Sequence, residues 1–218
     1  MKIIEPSYEI ITPLDEVESI RRLKQLESAA RTCYKSEELT STDETSAIVL
    51  IRKLIGRNHF AMLEHGSITV RFIIDRGVSH ELVRHRIASF AQESTRYCNY
   101  SKDKFDNEIT VIRPCYLDKK SAEYDIWKRA MEYAENSYFD LLCKGQSPQE
   151  ARAVLPNSLK TELVVTANYR EWRHIFELRC GKAAHPQMQK IMVPLYRELR
   201  RKIPIVFDDI FNGGVELE

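Results

Sequence analysis

The densest concentration of groups able to do chemistry is the run Arg84-His85-Arg86-Ile87-Ala88-Ser89-Phe90-Ala91-Gln92-Glu93-Ser94-Thr95-Arg96-Tyr97. A guanidinium keeps its charge at any working pH and presents its donors in a planar fork, so two of them beside a hydroxyl suit a phosphate dianion. Arg84 and Arg86 stand two positions apart, as do Ser94 and Arg96. In an extended chain alternate side chains project to one side, which predicts a two-pronged grip on phosphate oxygens. The plainer reading is a solvated helix end. It is weakened because Leu82, Val83, Ile87, Ala88, Phe90 and Ala91 embed the charges among apolar and small residues. Ser94 reads as a ligand, since a serine nucleophile needs an adjacent base and the run offers none.

Other clusters carry less. His80 and His85 bracket a motif like the zinc-protease H-E-x-x-H with one residue too many, and histidines at i and i+5 on a helix lie about 140° apart, too far round to share a metal. Cys115, in Arg113-Pro114-Cys115-Tyr116, is a candidate nucleophile without a paired base and reads as a buried structural thiol. The five cysteines are odd in number, widely spread and without a C-x-x-C pair, which favours reduced thiols over a disulfide framework or zinc cage. Seven glycines form neither G-x-G-x-x-G nor G-x-x-x-x-G-K-[ST], so a bound dinucleotide is not held by a Rossmann turn or P-loop.

The elements that must position these groups follow from hydrophobic period. Residues 15–33 (Val17, Ile20, Leu23, Leu26, Ala30) and 48–55 read as helices. Residues 67–74 (SITVRFII) read as a strand ending at Asp75-Arg76-Gly77, and 77–86 as a short helix. Residues 89–101 lack a clean period, which is where binding groups tend to sit. A short strand at 109–112 precedes a long helix at 122–143, with Ile126, Ala130, Tyr133, Ala134, Tyr138 and Leu141 on one side. Ser147-Pro148-Gln149-Glu150 is a capping box that opens a helix start and aims Arg152. A strand at 160–167 and helices at 169–179 and 187–201 complete the chain. Long helices mixed with a few strands, without βαβ alternation, predict a mixed α+β fold with a largely antiparallel sheet flanked by long helices.

A chain of 218 residues suits one domain, 1–218, that can bury roughly 70 per cent of its unfolded surface. Its 33 basic and 32 acidic side chains leave a net charge of +1, so any anion site must be local. The N-terminus MKIIEPSYEI has no signal-peptide character and no apolar run of about 20 residues occurs, which points to a cytoplasmic protein with no membrane partner.

The run from Arg84 to Ser94, R-H-R followed by seven residues and serine, resembles the signature of flavin-dependent thymidylate synthases. Glu64-His65-Gly66-Ser67 upstream, Arg152-Ala153-Val154-Leu155-Pro156, and Asn168-Tyr169-Arg170 through His174 to Leu178-Arg179 fit the same family in the same order, with further likeness in Ala29-Ala30-Arg31-Thr32-Cys33-Tyr34. The chain departs from many relatives at Glu81, where they carry glutamine, and at Ala184-His185-Pro186-Gln187.

The resemblance implies methylation of dUMP to dTMP with bound FAD, NADPH and methylenetetrahydrofolate, in sites shared between subunits of a homotetramer. It implies FAD contacts at His65, Ser67, Arg84, His85, Arg86, Asn168, Arg170 and His174. It implies dUMP contacts at Glu81, Gln92, Glu93, Ser94, Thr95, Arg96 and Arg152, with Arg96 and Arg152 on the phosphate. Arg179 is implied as the catalytic group facing the uracil from a neighbouring subunit.

Two rivals compete. A nucleic-acid module would use the arginines as a backbone groove with Tyr97 and Tyr100 stacking bases, but the even charge balance disfavours it. A flavin reductase would not need Ser94, Arg96, Arg152 and Arg179 together.

Overall fold

The computed structural model describes residues 1–211 and begins with two short strands, β1 (Lys2–Ile4) and β2 (Ser7–Ile10). Helix α1 (Glu16–Thr32) starts where Asp15 accepts the Glu18 N–H at 2.8 Å, which satisfies an otherwise unpaired donor. It buries Leu23, Leu26 and Ala30, as its period predicts, but Val17 is exposed. Helix α2 (Thr45–Gly56) follows, then β3 (Ser67–Asp75) and α3 (Arg76–Leu82), capped by Asp75 on the Val78 N–H at 2.8 Å. The expected helix at 77–86 therefore stops at Leu82, leaving Arg84, His85 and Arg86 in a connection.

Strand β4 (Ala88–Gln92) takes part of the region expected to be irregular, and β5 (Thr110–Ile112) comes next. Helix α4 (Ala122–Cys143) has the expected limits, with Ser121 capping Tyr124 at 3.2 Å. Its packed face overlaps the expected one in part: Tyr138 is buried and Leu141 packs on the core as expected, joined by Met131, whereas Ile126 and Tyr133 are exposed.

Glu150 accepts the Ser147 N–H at 2.8 Å, completing the predicted capping box, and α5 (Pro148–Ala151) runs into a 3-10 turn at Arg152–Val154. Strand β6 (Lys160–Asn168) leads directly into α6 (Tyr169–Arg179), capped by Asn168 on the Glu171 N–H at 2.8 Å. Helix α7 (Pro186–Lys202) continues through Pro194, and α8 (Pro204–Phe207) ends the described elements.

The fold is mixed α/β, as expected, with an antiparallel four-stranded sheet ordered β2-β3-β6-β4. A second, two-stranded sheet pairs β1 with β5 in parallel, Ile3 opposite Val111.

The chain divides into two compact units. The first comprises Met1–Tyr8, Arg71–Arg84 and Phe90–Val164; the second comprises Glu9–Val70, His85–Ser89 and the chain from Val165. In the first unit Tyr100, Ile109, Val111, Met131, Tyr138, Ala151 and Leu159 form an apolar cluster. In the second, Trp172, Tyr169, Phe176 and Tyr196 are fully buried, and the Trp172 indole donates to the Ile68 carbonyl at 3.0 Å. The last seven positions of the expected single domain, 212–218, lie outside the described residues. Among the described residues no helix is long and apolar enough to cross a membrane.

Candidate functional site

In the second unit α6 brings three predicted site residues to one place. His85 is 5% exposed, and its Nε2 accepts from Arg179 Nε at 3.1 Å while its Nδ1 lies 3.2 Å from Glu171 Oε1. An arginine Nε–H can only donate, so Nε2 must hold a lone pair and the ring proton must sit on Nδ1, donated to Glu171. Burial, then the charges of Arg179 and His174, pushes the His85 pKa down to about 4, so the ring is neutral at neutral pH. Burial also raises the Glu171 carboxyl above its ordinary value, and the charge of His174 opposes this. The His174 ring meets His85 edge-on, centroids 5.7 Å apart.

Beside this cluster is a cleft of about 390 Å³ lined by residues that include Phe60, Ile87, Asn168, Arg170, His174 and Glu177. Arg170 is exposed and pairs with Glu64 at 2.7 Å. Arg173, which no sequence motif singles out, is buried on Asp209 at 2.6 Å and so holds the chain after α8. His65, the last residue of a 3-10 turn (Phe60–His65), and Ser67, the first of β3, are exposed. Between them Gly66 serves the packing, because a Cβ there would overlap the Tyr169 ring. Its carbonyl also accepts the Tyr169 N–H at 2.9 Å, which fixes the start of α6.

The first unit holds the other predicted set. After β4 the chain turns, with the Ser94 carbonyl accepting the N–H groups of Tyr97 at 3.1 Å and Cys98 at 2.9 Å. The extended alternation of Ser94 and Arg96 is thereby replaced by a turn, because local carbonyl bonds satisfy the backbone once strand pairing ends. The turn still concentrates donors. The Arg96 N–H reaches Ser94 Oγ at 3.4 Å and the Arg152 guanidinium reaches Thr95 Oγ1 at 3.4 Å, with Arg96 and Arg152 both exposed.

Gln92 is engaged internally, donating to Ser79 Oγ at 2.9 Å and Thr161 Oγ1 at 3.3 Å. Glu93 accepts from Lys160 at 2.9 Å and from the Tyr100 hydroxyl at 3.3 Å. Glu81 is half-buried on α3, and Arg84 and Arg86 are exposed.

Several alternatives meet geometric obstacles. His80 is exposed while His85 is buried, and among the described residues no three His, Cys, Asp or Glu side chains gather as a metal site requires. Tyr100 lies in the apolar cluster at 4% exposure, where it has no face to offer a nucleic-acid base. Cys115 is half-buried rather than buried, and all five cysteines are free thiols. Two engaged groups, Glu171 and Lys160, carry no signal in the sequence. Their partners, His85 and Glu93, lie 86 and 67 positions away, so no local pattern marks them.

A family model described as thymidylate synthase complementing protein matches residues 17–205. The chain is 34% identical over 193 residues to the flavin-dependent thymidylate synthase of Geobacter sulfurreducens, covering 85% of this chain and 80% of that protein. It is 32% identical over 200 residues to the flavin-dependent thymidylate synthase of Mycobacterium avium, covering 84% and 78%. Among solved structures it resembles the UMP/dUMP methylase PolB from Streptomyces cacaoi bound with 5-Br dUMP, with a TM-score of 0.76 over 99% of this chain and 98% of that one, at 23% identity. That likeness is one of fold.

Proposed function

Because the chain belongs to the family of flavin-dependent thymidylate synthases, we propose that it methylates dUMP to dTMP with bound FAD, methylenetetrahydrofolate as carbon donor and NADPH as reductant. The observation that carries the reading is that the family match spans both polar clusters, the Ser94 turn with Arg152 and the His85–Arg179 pair.

The residues of the second-unit cleft fit a flavin dinucleotide. Phe60 and Ile87 offer apolar surface for a ring, and Arg170, His174 and Asn168 offer donors for a diphosphate. Arg170 must exchange Glu64 for the anion, which is inexpensive because exposed ion pairs are worth about 0–1 kcal/mol. About 390 Å³ is near the lower end of ligand pockets, roughly 300–1,000 Å³, which agrees with a cofactor completed by neighbouring subunits of a homotetramer. His65, Ser67, Arg84, His85 and Arg86 complete the cofactor contacts in this proposal. When bound, the flavin supplies hydride transfer from the nicotinamide to the pyrimidine.

The protein's own work is capture and charge placement. Arg96 and Arg152, with the Ser94 and Thr95 hydroxyls, take the nucleotide phosphate; Glu81, Gln92 and Glu93 complete the nucleotide contacts. Arg179, contributed by a neighbouring subunit, stands beside the pyrimidine edge, where its guanidinium favours ionisation at N3. Electron density then rises at C5, which attacks the methylene carbon of the donor and later gives up its proton. No cysteine is used. The chain acts as one domain and works in the cytoplasm.

The test is direct. Purified protein should be yellow, absorbing at about 450 nm, and should form dTMP only when dUMP, methylenetetrahydrofolate and NADPH are all present. Colourless protein that ignores added FAD overturns the reading.

A further inference from the structure

Glu171 is a buried carboxylate that meets a proposed site residue but has no role in the proposed chemistry. Glu171 is 7% exposed, in the first turn of α6, and its Oε1 is 3.2 Å from His85 Nδ1. We infer that Glu171 is a positioning residue, which holds His85 as its Nδ1–H tautomer so that the Nε2 lone pair grips Arg179 Nε and sets the guanidinium plane. The inference rests on the proposed role of Arg179, although the tautomer itself can be observed without it.

Two of the three ring states of His85 conflict with its neighbours. An imidazolium has no lone pair and cannot accept from Arg179, and the Nε2–H tautomer would set one N–H against another. Only the Nδ1–H form makes both bonds, and it requires an acceptor at Nδ1. Glu171 Oε1 is that acceptor. Among the described residues, the charged and titratable groups seen to meet the ring are Glu171 and Arg179 through hydrogen bonds and His174 through its edge, all carried by α6. Glu171 and His174 are three positions apart and Arg179 lies two four-residue steps beyond Glu171, so the three span about 140° of α6 with Glu171 between the other two, and His85 meets all three. Asn168 caps the helix at the Glu171 N–H and thereby fixes where the carboxylate begins.

A carboxylate in the first helical turn also interacts favourably with the helix dipole. Charge and reach can be separated by two conservative substitutions. Glu171→Asp keeps the charge but withdraws the oxygen by a methylene, whereas Glu171→Gln loses the charge but keeps an acceptor oxygen at the same reach. Positioning predicts that Glu171→Asp lowers kcat for dTMP about tenfold or more, the scale of a misplaced catalytic group. The KM for dUMP should be retained, with kcat taken per bound flavin because Glu171 and His85 border the flavin cleft, and Glu171→Gln should recover most of kcat.

The independent readout is nitrogen NMR of the flavin-loaded protein labelled at histidine. The wild type and Glu171→Gln should show His85 protonated at Nδ1, and Glu171→Asp a mixture of tautomers. The reverse order, with aspartate near wild type and glutamine impaired, overturns the inference in favour of a charge role. An unchanged Nδ1–H tautomer in Glu171→Asp also overturns it. Failure of the wild type to make dTMP would instead remove the proposed function, with the tautomer comparison still deciding whether Glu171 orients the ring.

Discussion

The buried cluster around His85 and the exposed turn around Ser94 show two ways of deploying arginine. Arg179 is held at Nε by a neutral imidazole that is itself fixed by a carboxylate, so its direction is set before any ligand arrives. Arg96 and Arg152 sit at the surface: the Arg152 guanidinium reaches Thr95 Oγ1 only at 3.4 Å, near the limit of useful hydrogen-bond geometry, and the Arg96 guanidinium lies over the Tyr97 ring, 5.5 Å from its centroid. The first arrangement suits a group that must stabilise developing charge, because preorganised dipoles need no reorientation during reaction. The second suits capture of a dianion, since exposed guanidiniums can close around phosphate oxygens when they come. The difference is one of orientation against affinity, and it separates in kinetics.

The sharpest break in the comparison is Arg179→Ala. Turnover to dTMP should fall by about 10²–10³, the scale of removing one preorganised donor, while absorbance of bound flavin is largely kept. Equal loss of both would place Arg179 in cofactor binding instead. Arg152→Ala should act on the other side, raising the KM for dUMP about tenfold to a hundredfold with little change in kcat, since a charge-assisted hydrogen bond contributes about 1.5–3 kcal/mol. A large kcat loss there would erase the distinction between the two regions.

The buried region should also be the pH-sensitive one. His85, with its folded pKa pushed down to about 4 from 6.5, binds a proton more readily when unfolded. Its contribution to stability is therefore present above pH 6.5 and is lost as pH falls through about 4. Glu171, pushed up by burial, works in the opposite sense, so the comparison must be with a variant. Melting temperature should fall from pH 6.5 to pH 4, and His85→Gln should flatten that slope. The smallest effect belongs to Cys115→Ala, which should keep dTMP synthesis within a few fold; a folded, flavin-bound but inactive variant would restore the thiol to the chemistry.

How much of the fold is legible in the sequence depends on whether the signal is local. Helices α4 and α6 are readable to the residue because Ser121 and Asn168 cap them and their periods are long. The capping box at Ser147 is readable for the same reason. Strands β1 and β2, three and four residues long, leave no such mark, since pairings such as Ile3 with Val111 connect distant parts of the chain. The buried face of α4 keeps Tyr138 from the expected stripe but adds Met131 and leaves Ile126 and Tyr133 exposed, because period gives a stripe and only tertiary packing selects which part of it meets the core.

At the candidate site, residue types and motif spacing point to the arginines, His85 and Ser94. They do not point to the turn after Gln92 or to the Glu171 contact, both of which are decided in three dimensions.

The most direct measurement is release of tritium from dUMP labelled at C5, followed with FAD, methylenetetrahydrofolate and NADPH and then with each omitted in turn. The account predicts release coupled to dTMP formation with all three, and dTMP lost when methylenetetrahydrofolate or NADPH is withheld, or when FAD is withheld from protein stripped of its bound flavin. Formation of dTMP by flavin-free protein, or no release in the complete mixture from yellow, folded protein, would contradict it.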